Sequence, residues 1–235
     1  MCLKTTWPTL LGSLETPITA TDFGVKNFCM LTSIDLEEGK LINFFTSFFI
    51  MKKGVYTEVE TERVIKKFVP VAKHVLVRSL KDAEQAARKI KFPLVLKIIS
   101  KKALHKTELK GVRVVHNKSG LEREFMDLMK IVKRKKLPLE GILVQEFVKG
   151  EYVILGLKKD PVFGHVLAFG IGGVYTELLH DVSFRVCPIT AKDAEDMIED
   201  LRMKKLLEGF RGVKVNRKVL LKAMVQVSKI PLKYP

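Results

Sequence analysis

The chain has 235 residues, 47% of them apolar, and a mean hydropathy of +0.10, enough for one large or two small domains with a sizeable core. A disordered tail is excluded on that balance, and 42 Lys and Arg against 26 Asp and Glu leave a net charge of +16. The three cysteines, Cys2, Cys29 and Cys187, show no CxxC or Cys/His ligand spacing, which argues against a disulfide framework and a zinc ribbon.

The first fifty residues differ in character from the rest. They hold three basic and five acidic side chains and six of the fourteen Phe, which leaves the remainder of the chain at +18. Pro8, Pro17, Gly12 and Gly24 interrupt this stretch, and only its Phe-rich end looks able to order. The longest apolar run, 41–51 (LINFFTSFFIM), is about half of the roughly 20 residues a spanning helix needs. No membrane span is expected, and the run lies too far from the N-terminus, without a leading basic region, to read as a secretory signal. The expected compartment is the cytoplasm. Met51, followed by Lys-Lys-Gly and a clean helix start, could be the natural initiation site, with residues 1–50 an upstream extension.

From Thr57 the pattern is regular. Thr57 with Glu60 forms a capping box that opens a helix running to about Lys67. Pro70 then forces an extended stretch over 71–77. Ser79 with Asp82 caps a second helix ending near Lys91, and 92–99 (FPLVLKII) reads as a buried strand. A short strand at 112–116 precedes a helix that Ser119 and Glu122 cap and that runs to about Lys135. Three strands follow, at 141–148, 152–157 and 164–169. Two or three helices come after Thr190, whose partner Asp193 completes another capping box, and Gly209 and Gly212 separate the last two. Loose alternation of helices and strands, with three strands in the middle, favours α/β (α+β mixed layers) over a bundle or a sandwich.

Several segments could carry chemistry. Lys97 lies inside an aliphatic strand, where a lone ammonium is too costly to bury unless something anionic meets it. It reads either as a strand-end lysine snorkelling to water or as a phosphate-binding lysine. The loop 100–112 (SKKALHKTELKGV) surrounds His105 with lysines. It could hold an anionic substrate beside a neutral imidazole nitrogen, or be a solvated connection. Gly170, Gly172 and Gly173 cluster in FGIGGVYT, but match neither GxGxxG nor GxxxxGK[ST]. Glu177, Asp181 and Arg185 recur every four residues and share a face in either a helix or a strand. They suit magnesium together with substrate phosphate, or a surface ion-pair ladder. The basic balance raises nucleic-acid binding as a rival, yet the lysines are spread over many helices and no RRM, KH, zinc-finger or clear helix-turn-helix signature appears.

Four segments in order carry a more specific message: PLVLKIISKKALHKTELKGVRV, GILVQEFVKG, KKDPVFGHVLAFGIGGVYTELLHDVSFRVCPIT and EGFRGVK. Over about residues 55–231 the chain resembles the β subunit of ADP-forming acetate–CoA ligases, acyl-CoA synthetases of the ATP-grasp superfamily. The resemblance implies two lobes, about 55–140 and 141–235, with ATP or ADP and Mg²⁺ between them. It also implies a separate α subunit that handles acyl-CoA and phosphate, with the phosphoryl group passing through His105 of this chain to ADP. Lys97 then matches the lysine that faces the nucleotide phosphates, and Gln145, Glu146, Phe147 and Val148 match the adenine hinge. Gly172 and Gly173 match the Gly-rich turn, and Glu177 matches the acidic position near Mg²⁺. Asp181 and Arg185 belong to the same signature, expected at the metal and the nucleotide respectively.

The sequence departs from that pattern in three places. A family Gly-Arg-Glu-Val becomes Gly150, Glu151, Tyr152 and Val153, so Tyr152 replaces the Glu or Glu151 does its work from a shifted register. A family Asp-x-Gly-Gly becomes Glu108-Leu109-Lys110-Gly111, which costs the loop a residue free to take positive φ. The family strand with an Asp-x-Asn-Pro metal motif has no counterpart before Pro235. On that ground a non-catalytic nucleotide-binding or scaffolding paralogue stands as the alternative to an active ligase component.

Overall fold

In the computed structural model, which describes residues 33–34, 41–42, 49–51, 54–102, 109–148, 153–171, 181–208 and 215–234, two larger antiparallel sheets each carry helices on one face. Two short hairpins precede them, pairing β1 (Ser33–Ile34) with β2 (Leu41–Ile42) and β3 (Phe49–Met51) with β4 (Gly54–Tyr56). Helix α1 (Glu58–Ile65) follows at once. Of the expected capping box the Glu60 half is clear, its Oε2 accepting the Thr57 backbone N–H at 2.7 Å.

The first large sheet has the order β5-β8-β6-β7, built from β5 (His74–Val77), β6 (Leu94–Ile99), β7 (Val112–Val115) and β8 (Gly141–Glu146). Helices α2 (Leu80–Ile90) and α3 (Lys118–Arg134) cover one face. The period-2 alternation of a strand decides which residues they meet. Leu94, Leu96 and Ile98 of β6 join Ile142 and Val144 of β8 in the core beneath α2 and α3. Truncating one of these, as in Leu96→Ala, costs about 2–5 kcal/mol. Ser79 caps α2 as expected, accepting from the Asp82 N–H at 3.2 Å. The cap of α3 is Asn117, not Ser119: its Oδ1 takes the Gly120 N–H at 2.8 Å, and the helix starts two residues sooner.

The second sheet has the order β11-β10-β9, from β9 (Val153–Asp160), β10 (Gly164–Ile171) and β11 (Val182–Val186). Its inward residues, among them Leu155, Leu157, Leu167 and Phe169, pack under α4 (Ala191–Glu199), α5 (Arg217–Ser228) and the terminal turn α6 (Ile230–Lys233). The Thr190–Asp193 capping box is present in both directions. Strand β11 was not among the expected elements, although Val182, Phe184 and Val186 alternate with Ser183 and Arg185 along it.

Two features reshape the expected division into lobes. Strand β8 pairs with both β5 and β6, so the first sheet continues to Glu146 and a boundary at 140/141 would cut through it. Helix α1 belongs to both halves. Val59 packs against Ile99 and Leu143 of the first sheet, while Ile65 lies in the core of the second.

Candidate functional site

The face of the first sheet opposite α2 and α3 is where the expected residues begin to meet. On β6 the alternation that sends Leu96 and Ile98 into the helical core sends Val95, Lys97 and Ile99 the other way. In register, Gln145 of β8 lies beside Val95 of β6 and His74 of β5, and Leu143 lies beside Lys97. Lys97, Gln145 and His74 therefore share one face, and the first turns of α1 lie on it.

Lys97 is 1% exposed, deeper than a snorkelling lysine would be. Its Nζ donates to Glu58 Oε1 at 2.6 Å, and the Glu58 side chain is 2% exposed. Isolated burial of either charge would cost several kcal/mol, so each is tolerable there because of its partner. One turn along α1, Glu62 reaches two further groups on the same face. Gln145 Nε2 donates to its Oε1 at 3.3 Å, and His74 Nδ1 stands 2.9 Å from its Oε2. His74 Nδ1 also lies 3.0 Å from the Ala72 carbonyl. Hydrogen bonding to Glu62, opposed by burial and assisted by the Glu62 charge, holds the His74 pKa above its ordinary value. Two carboxylates at i and i+4 on α1 thus meet an ammonium, an imidazole and an amide on three strands.

The residues expected at the adenine are anchored differently. The Glu146 amide donates to the Lys73 carbonyl at 2.8 Å, and its carboxylate accepts from the Lys73 amide at 3.1 Å. The Phe147 amide donates to the Pro93 carbonyl at 3.3 Å, and Val148 is buried. The fold therefore engages the amides of Glu146 and Phe147 with its own carbonyls.

Asp181 and Arg185 are committed to the second half of the molecule. Asp181 accepts the Arg202 and Met203 amides on its two oxygens, at 2.9 and 2.8 Å, which ties the start of β11 to the turn after α4. Arg185 pairs with Leu167 in register, on the helix-covered face of the second sheet, and donates to Asp200 at 2.7 Å. In the structure both side chains meet partners within the second half. Among the described residues no group of three or more His, Cys, Asp or Glu could hold a metal ion. His105, Glu151, Tyr152, Gly172, Gly173 and Glu177 lie outside the described residues.

Cys187 is described, and burial pushes its thiol pKa up to about 12, which leaves it without a thiolate near neutral pH. No helix among the described residues is long and apolar enough to cross a membrane.

Glu58, Glu62 and His74 were not legible as site residues. In the sequence Glu58 reads as an ordinary acidic residue in a first helical turn. The one available signal was the need for an anion near Lys97, which did not say where in the chain that anion lay.

The ATP-grasp domain family matches residues 51–235. The chain is 36% identical over 171 residues to the acetate–CoA ligase (ADP-forming) I of Archaeoglobus fulgidus, covering 71% of this chain and 25% of that one. It is 34% identical over 184 residues to the β subunit of acetate–CoA ligase (ADP-forming) I of Pyrococcus furiosus, covering 76% and 79% of the two chains. The chain thus spans about a quarter of the length of the Archaeoglobus relative and about four-fifths of the Pyrococcus β subunit. Among solved structures, the dinucleotide-forming acetyl-coenzyme A synthetase 1 of Ca. Korarchaeum cryptofilum with coenzyme A and Ca-AMPCP superposes with a TM-score of 0.72. Identity there is 31%, over 92% of this chain and 87% of that one. The same enzyme with Mg-AMPPCP, its phosphohistidine segment pointing towards the nucleotide binding site, superposes with a TM-score of 0.64 at 34% identity, over 75% and 78%.

Proposed function

The chain belongs to the ATP-grasp family, among the β subunits of ADP-forming acetate–CoA ligases, and from that premise we propose that it binds ADP and ATP and makes ATP from a phosphoryl group delivered by a partner. The observation that carries this reading is Lys97. A fully buried cation on a sheet face is costly for a fold to keep, and facing nucleotide phosphates gives that cost a function. Gln145, Glu146, Phe147 and Val148 border the adenine; Glu151, Gly172 and Gly173 approach the phosphates; Glu177 takes the acidic position by the metal. Asp181 and Arg185 are assigned to the scaffold.

His105 is the proposed phosphoryl carrier. An α subunit that handles acyl-CoA and inorganic phosphate would phosphorylate its own histidine and pass the group to a ring nitrogen of His105. A terminal phosphate oxygen of ADP then attacks phosphorus, the N–P bond breaks and the imidazole recovers its lone pair. Such a transfer asks the protein mainly for alignment and for neutralisation of charge on the moving oxygens. The related enzyme whose phosphohistidine segment points towards its nucleotide site supports the loop assignment. Incubating the full chain with an α subunit, acetyl-CoA and radiolabelled phosphate tests it: label should appear on the wild type, disappear on adding ADP, and be missing from His105→Ala. Equal labelling of wild type and His105→Ala would remove the phosphohistidine role.

A further inference from the structure

We infer that Glu58 is a positioning residue for Lys97, holding its ammonium on the face of the first sheet opposite α2 and α3, where the phosphates of a nucleoside di- or triphosphate are received. The inference rests on the nucleotide-binding reading above and adds a residue to it. A lysine stem has four carbons and many rotamers, so an ammonium that must meet a phosphate in one place needs something to fix it. The carboxylate at 2.6 Å, buried to the same degree as the ammonium, is such a group.

Glu58 is itself held on both sides. Glu60 secures the Thr57 amide at the start of α1, and the Thr61 hydroxyl donates to the Thr57 carbonyl at 2.9 Å, so the first turn has little freedom. Val59 seats that turn on Ile99 and Leu143. One turn further, Glu62 registers the helix against Gln145 and His74. The far end of α1 is built into the second core through Ile65. The position of Lys97 is therefore set by a helix anchored in both halves of the molecule, between which the nucleotide is proposed to lie.

Glu58 also acts on charge. A buried ammonium facing no anion gives up its proton more readily, whereas one beside a carboxylate keeps it. Two substitutions in the full chain separate positioning and charge from a plain structural role. Glu58→Gln keeps the shape and removes the charge; Glu58→Asp keeps the charge and draws it back by one methylene. ADP affinity is measured by calorimetry from pH 7 to 10, with thermal midpoints recorded in parallel.

The expected result is that Glu58→Gln weakens ADP binding roughly tenfold or more and moves the high-pH loss of affinity to lower pH. Glu58→Asp should weaken binding several-fold and leave that high-pH limb in place. A Glu58→Gln protein that is merely less heat-stable, with wild-type affinity and an unmoved limb, overturns the inference. If Glu58→Gln does not fold, wild-type affinity in Glu58→Asp overturns it. Lys97→Met identifies the other kind of failure: should it bind ADP as tightly as the wild type, the nucleotide reading falls and the inference with it.

Discussion

Asp181 offers a clean test because two quite different roles attach to one carboxylate. Its oxygens accept the Arg202 and Met203 amides at 2.9 and 2.8 Å, so Asp181→Ala removes two charge-assisted hydrogen bonds and leaves two turn amides for water to satisfy. Such bonds are worth about 1.5–3 kcal/mol each at full strength. Asp181 is half-buried, and water can reach part of the turn, so the expected loss is about 2 kcal/mol in total. For a chain of this size that corresponds to a fall in Tm of roughly 4–8 °C. Asp181→Asn keeps one good acceptor and should lose about half as much. Urea titrations give the stability, and ADP titrations at fixed magnesium, scaled to the folded fraction, give the binding. The scaffold role predicts lower stability with unchanged affinity. If stability stays within about 0.5 kcal/mol of the wild type while magnesium-dependent ADP binding disappears, Asp181 is a metal ligand and the assignment made above is wrong.

Two further outcomes follow from groups elsewhere in the first half. His74 has a raised pKa, so its contribution to stability is complete below the unfolded value near 6.5 and is lost as pH rises through the folded value. The urea midpoint of the wild type should therefore drop as the pH climbs past about 6.5, and Glu62→Gln should flatten that drop; equal slopes in the two proteins would refute the pairing. Lys91 sits at φ 73° and ψ 153°, a region suited to glycine, at a strain of about 1–3 kcal/mol. Lys91→Gly relieves it against roughly 0.5–1 kcal/mol of added chain entropy, so Tm should rise by about 2–4 °C; no rise would show the backbone to be unstrained there.

The fold was largely written in local signals. The caps at Thr57, Ser79 and Thr190 placed three helix starts, and the aliphatic run at 94–99 placed the central strand. What local signals did not carry was pairing. Nothing near Gly141 says that β8 returns between β5 and β6, since that order depends on contacts far apart in the chain. Strand β11 escaped because Arg185 in it, four residues from Asp181 and eight from Glu177, suggested a ligand set more strongly than its alternating apolar residues suggested a strand.

The glycines show the same limit. Gly170 read as part of a phosphate-binding cluster, yet it lies in β10, where an added Cβ would stand 2.5 Å from the Asp181 carbonyl. It is small because two strands approach closely, which no sequence window reveals. Lys110 was flagged as a loss of backbone freedom, and its φ of 51° shows that the turn does demand the left-handed region from a lysine. Lys97 was the most informative residue: the requirement for a nearby anion was readable from burial energetics alone, but the identity of Glu58, 39 positions earlier, came from the fold.

The most direct measurement is photolabelling of the full chain with 8-azido-ATP, followed by mapping of the modified peptide. A nucleotide lying on the face of the first sheet that bears Lys97, with its base against 145–148, places the label within 141–148 and allows ADP to compete it away. Label that ADP does not displace, or that falls on the outer surfaces of α2 and α3, would mean that the face bearing Lys97 and Gln145 does not receive a nucleotide.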